Sequence, residues 1–113
     1  MSDHVSDPEA ELPGIAGEFA GDYEHVWDAY ADLGASASGA GPLDEQTKRL
    51  VKLALSIGAD SEGAVHSHVR RAQEDGIDDA ALEHVAILAI TTLGFPQAMA
   101  ALSWIRDITE PDN

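Results

Sequence analysis

At 113 residues and without a single cysteine, the chain has room for one small domain and offers no disulfide framework, no thiolate metal site and no thiol redox chemistry. Twenty-one acidic residues against six basic ones give a net charge of -15, and the long-range repulsion this creates excludes nucleic acid and anionic membranes as partners. Apolar residues make up 44% of the sequence but aromatic ones only 5%, so the interior must be built from Ala, Leu, Ile and Val, which points to closely packed helices.

Residues 1–13 carry Asp3, Asp7, Glu9 and Glu11 with Pro8 and Pro13, and hold too little apolar matter to pack alone. They read as a flexible acidic tail ahead of a single helical domain over 14–109. The start of the chain has neither a basic segment nor an apolar run, and no stretch approaches membrane-spanning length, so a cytoplasmic location is expected. Only two lysines, Lys48 and Lys52, with plentiful Ala and Asp, suit a protein that works in concentrated salt, where self-repulsion is screened. An ordinary acidic cytosolic protein is the alternative.

From Ile15 to Leu33 the residues Phe19, Tyr23, Val26, Trp27, Tyr30 and Leu33 recur at spacings of three and four, which predicts an amphipathic packing helix weakened early on by Gly17 and Gly21. Gly34 to Pro42, rich in Ala, Ser and Gly, reads as a connecting loop. A helix capped by Asp44 follows and stops at Gly58. Leu50, Leu53, Ala54 and Ile57 form its apolar stripe, and Val51 and Leu55 widen that stripe enough to predict burial beyond the first turn. The next helix starts near Asp60 or Ser61 and ends at Gly76, with Ser61, Ala64, Val65, His68 and Ala72 on one face. Ile77 and Leu82 bracket Asp78 as a hydrophobic staple at the head of a helix running to about Thr92. Ile87, Leu88 and Ile90 make its second half so apolar that it must be buried centrally or in a subunit interface. Pro96 then fits the first turn of a last helix through Ile108. The fold class is all-α, with about five helices.

The sequence order Leu43-Asp44, Lys48, Leu50 and Ala54, then His68-Val69-Arg70-Arg71-Ala72, Gly76 and Gly94-Phe95-Pro96, resembles the carboxymuconolactone decarboxylase family, which includes the AhpD-like alkylhydroperoxidases. The resemblance spans roughly Tyr23 to Ile108 and implies a homo-oligomer, a trimer or hexamer. AhpD-like peroxidases carry Cys-x-x-Cys followed by three residues and then a histidine. In that register Ser61 and Ala64 stand at the thiol positions and His68 is the histidine, while Arg49 stands where the family's proton-relay glutamate would be. Thiol peroxidase activity is therefore not expected.

Two functions follow from the resemblance. One is a cysteine-independent lyase-type enzyme in which His68 acts as general acid or base on a small carboxylate or lactone, with Arg49 and Arg71 holding its carboxylate and Ser61 lining the same pocket. The other is a scaffold that has lost the peroxidase chemistry and serves as an oligomeric binding or structural protein. His68 could equally be a hydrogen-bonded core histidine, and Arg70 a solvated residue paired with Glu74 one turn on. No cofactor is expected. No metal site is expected either: His66 and His68, two apart, lie about 200° apart on a helix and cannot share an ion, although Glu62 and His66 do share a face.

Overall fold

A computed structural model describes residues 14–112, and the acidic tail expected over 1–13 lies outside the described residues. The chain divides into two compact units, one up to Pro42 and one from Leu43 onward. Among the described residues all the regular structure is helical, as expected of an all-α chain.

In the first unit, the single helix expected over Ile15 to Leu33 is two: α1, Gly14–Asp22, and α2, Glu24–Ser38, separated at Tyr23, whose φ of -131 and ψ of 61 lie outside the helical region. α2 also runs through the first half of the stretch expected to be a loop. Ala35 and Ala37 are strong helix formers, and the Gly39 N–H closes the helix on the Ala35 and Ala37 carbonyls. Among the described residues of this unit only Ala20 is buried, and Phe19, Tyr23, Val26, Tyr30 and Leu33 are exposed. Phe19 stacks on Tyr23 with ring centroids 5.2 Å apart, and Trp27 leans on Tyr30 at 5.5 Å.

The second unit holds the core. α3 (Glu45–Gly58), α4 (Glu62–Glu74), α5 (Asp79–Leu88), the short α6 (Ile90–Leu93) and α7 (Phe95–Thr109) pack around Leu53, Ile57, Val65, Val69, Leu82 and Ile105, all essentially inaccessible to solvent. Fully buried Ala72, Ala86, Ala98 and Ala101 fill the rest, and their small side chains let α4, α5 and α7 approach closely. Leu50, Leu53 and Ile57 of the expected α3 stripe face this core, but Ala54 of that stripe is exposed, and Val51 and Leu55 beside it are 41% and 66% exposed, because the stripe that α4, α5 and α7 cover is narrower than the apolar arc of α3. The helix expected to run to Thr92 breaks at Ala89 into α5 and α6, and Ile87 and Leu88 at the break point outward.

The starts of α3 and α4 and the end of α4 follow their sequence signals, whereas Asp78 at the head of α5 makes no side-chain capping hydrogen bond. The Asp44 carboxylate accepts from the Thr47 N–H at 2.8 Å, and the Ser61 hydroxyl accepts from the Ala64 N–H at 3.3 Å. α3 and α4 both finish in the same motif. Past α4, the Gly76 N–H reaches the Gln73 carbonyl and the Ile77 N–H reaches the Ala72 carbonyl, with Gly76 at φ +81. Past α3, Asp60 plays the left-handed role at φ 56, its N–H on the Ile57 carbonyl and the Ser61 N–H on the Ser56 carbonyl. Gln97 then ties α7 to this corner by donating to the Ile57 carbonyl at 2.8 Å. Among the described residues no atom outside its immediate chain neighbours lies within 4 Å of a Cβ built on Gly76, so the cost of adding one is conformational. Gly76→Ala is expected to lower the unfolding free energy by about 1–2 kcal/mol in chemical denaturation, with helix content unchanged.

Candidate functional site

The site is made by α3 crossing α4. Successive turns of α3 carry Lys48, Arg49 and Lys52, and the last turns of α4 carry His68, Arg70 and Arg71, so five of the chain's six basic residues lie on these two helices. His68 is half-buried between them. The Arg49 Nη1 lies 3.3 Å from the His68 Nδ1, and the Arg49 Nε donates to the Asp75 Oδ2 at 3.2 Å. The guanidinium is thus held between a carboxylate just beyond α4 and the imidazole on it. Its side chain is only 13% exposed.

This contact settles the state of the ring. A guanidinium has five N–H groups and no acceptor, so Nδ1 must accept, and the neutral ring carries its proton on Nε2. Burial, and then the nearby charges of Arg49, Arg71 and Lys52, push the His68 pKa down from 6.5 to about 4. At neutral pH His68 is an uncharged N–H donor. In the unliganded protein it is not a base poised near neutrality.

The cations differ in how they are compensated. Lys48 pairs with Glu45 at 2.8 Å, Arg49 with Asp75, and Arg106 with Glu83 through two hydrogen bonds of 2.9 and 3.1 Å. Among the described residues no carboxylate lies within ion-pairing distance of Lys52, Arg70 or Arg71, and the Arg70 to Glu74 pair expected from their spacing does not form. Arg70 is exposed, whereas Arg71 is half-buried on the His68 side.

The structure therefore brings together three of the four residues singled out from the sequence: His68, Arg49 and Arg71. Ser61 is not among them. It lies seven residues before His68, roughly 10 Å along the helix axis, and its hydroxyl caps α4. Sequence reasoning missed Lys52 and Asp75. Lys52 could have been found as the residue one turn after Arg49 on the same face of α3, but Asp75 is placed only by the way α4 crosses α3.

An all-helical unit whose central histidine is ringed by cations, with no thiol anywhere in the chain, defines a small helical protein built around an imidazole and its charged neighbours. Residues 22–107 match the family model described as carboxymuconolactone decarboxylase family, and the chain belongs to that family. No curated protein and no solved structure gives a significant match. No helix among the described residues is long and apolar enough to cross a membrane.

Proposed function

We propose that the protein is a cysteine-independent enzyme of lyase type acting on a small carboxylate or lactone acid, with the crossing of α3 and α4 as its site. The observation that carries this reading is the pair of cations, Arg71 and Lys52, with no carboxylate partner among the described residues, beside a half-buried histidine on a chain of net charge -15. Where carboxylates are so abundant, cations left without one suit an anionic ligand. Arg71 and Lys52 would bind its carboxylate, Arg49 would fix the ring, and the His68 Nε2–H would face the reacting end.

Loss of CO2 from a keto or lactone acid leaves the electron pair of the broken C–C bond on carbon, delocalised onto the neighbouring carbonyl oxygen. A neutral N–H donor and fixed cations stabilise that oxygen as charge builds on it, and water returns a proton to the carbon. A bound carboxylate also offsets the cations that hold the ring neutral, so the proton affinity of His68 rises with substrate in place and general acid catalysis becomes available. The second reading, an oligomeric binding scaffold without chemistry, shares the same anion site and differs only in turnover.

The same reading places the protein in the cytoplasm of a salt-tolerant cell as a homo-oligomer, a trimer or hexamer as the family resemblance implies. Exposed Val51 and Leu55 on α3, and Ile87 and Leu88 at the end of α5, support the association.

The test is a panel of small keto, dicarboxylic and unsaturated lactone acids, screened by thermal stabilisation and by CO2 release. Arg71→Gln is expected to weaken binding by about 10- to 100-fold, the loss of a charge-assisted hydrogen bond. His68→Gln is expected to lower turnover by at least about 100-fold while binding persists. If no acid on the panel stabilises the parent, the anion site is wrong; if acids bind but none is turned over, the scaffold reading replaces the enzyme.

A further inference from the structure

On the opposite side of α4 from His68, its other histidine meets two carboxylates. The His66 Nε2 lies 3.0 Å from the Asp107 Oδ2 on α7 and 4.0 Å from the Glu62 Oε2 one turn earlier on α4. One donor atom from each of the three residues falls within 4.8 Å of the others. We propose that Glu62, His66 and Asp107 form a binding site for a divalent ion of the zinc and cobalt class.

The geometry needs little adjustment. Zinc binds imidazole nitrogen and carboxylate oxygen at about 2.0–2.2 Å, so tetrahedral donors around it stand roughly 3.3–3.6 Å apart. The two distances to His66 bracket that range. The side chain of His66 is only 20% exposed and its ring is held against α7, while the Glu62 and Asp107 side chains are 55% and 54% exposed and free to close on an ion. α4 and α7 pack tightly through Val65, Val69, Ala101 and Ile105, so the fold fixes the backbone positions of all three ligands before any ion arrives.

The donor chemistry selects the ion. Two carboxylates and a neutral imidazole supply two negative charges to a divalent cation, and the nitrogen donor favours zinc, cobalt or nickel over magnesium and calcium. The net charge of -15 concentrates cations at the surface. Three protein ligands leave at least one coordination position open, as in zinc sites that act on water or substrate rather than closed structural ones. Asp107 also lines a half-open surface hollow of about 480 Å³ with Met99, Leu102, Ser103, Arg106, Glu110 and Pro111. The Glu-x-x-x-His spacing is visible in the sequence, but the third ligand lies 41 residues beyond His66.

The test is titration of the full chain with Co2+ alone, at neutral pH in molar potassium chloride, followed by visible absorption and then displacement by Zn2+. One ion per chain is expected, with paramagnetic broadening confined to resonances around His66 and Asp107. His66→Gln is expected to lower the affinity by more than about 100-fold, the upper end of what losing even an outer-shell partner costs. Glu62→Gln, at an exposed position that does not threaten the fold, should lower it by at least about 10-fold. His84→Gln, an exposed histidine on α5, should leave binding unchanged. Absence of Co2+ binding, or binding that survives in folded His66→Gln and Glu62→Gln proteins, overturns the site and leaves His66 as an ion-pair partner of Asp107. Neither result depends on whether the His68 site binds carboxylates.

Discussion

Arg49→Met is expected to raise the pH at which His68 takes up a proton, from about 4 toward the 6.5 of a free imidazole. Burial is the larger cause of the depression and survives the substitution, so the return is partial; what the variant removes is the guanidinium facing Nδ1. The ring C–H resonances of His68, followed by NMR against pH, measure it directly. The same group sets part of the acid sensitivity of the fold. Its folded pKa lies below its unfolded one, so between pH 6.5 and about 4 the unfolded chain binds more protons than the folded chain. The stability associated with a neutral His68 is therefore complete above pH 6.5 and is lost as pH falls through about 4. Taken in full, such a shift would amount to more than 3 kcal/mol, but solvent screening at this half-buried site reduces it to about 1–2 kcal/mol. His68→Gln removes this pH dependence, so parent and variant should differ in the slope of stability against pH across that window. An unchanged slope, or a His68 that titrates near 6.5 in the parent, would refute the ring state assigned here.

Leu82→Ala should cost about 3 kcal/mol, within the 2–5 kcal/mol measured for such truncations in cores. Leu82 is fully buried near the start of α5 and packs in the cluster that joins α3, α4 and α7, and the fixed crossings leave little scope for collapse around the cavity. In a unit of this size the loss corresponds to a fall in melting temperature of roughly 12–24 °C. Leu88, six residues on and 60% exposed, is the comparison. Leu88→Ala should change the stability of an isolated chain by less than about 0.5 kcal/mol. If the apolar end of α5 sits against a second copy, the same variant instead makes the melting temperature depend strongly on protein concentration.

What could be read in advance and what could not divide along physical lines. Asp44, Ser61 and Gly76 mark helix ends by local rules that involve three or four neighbouring residues, and each behaves as its type predicts. Leu53 and Ile57 were legible because burial repeats with the helix period. Val51 and Leu55 were misread because periodicity gives the apolar arc of a helix but not how much of that arc its neighbours cover. The break at Ala89 has no Gly or Pro to announce it, and the left-handed turn after α3 falls on Asp60, two residues beyond the Gly58 where the helix ends. At the site, His68 followed from its face on α4 and from the family register. The state of its ring did not: that depends on Arg49 and Asp75, which are 26 residues apart in sequence and meet only because α3 and α4 cross.

The two tryptophans fall one to each unit. The Trp27 indole N–H is buried without an acceptor among the described residues, and Trp104 packs half-buried against the core of the second unit. Each is therefore a separate optical reporter. The emission of a Trp27→Phe protein follows the α3 to α7 unit alone, and that of a Trp104→Phe protein follows α1 and α2. Denaturation curves from the two proteins superimpose only if both units melt as one cooperative block, so a spectrometer and two conservative substitutions are enough to ask whether the N-terminal helices have a stability of their own.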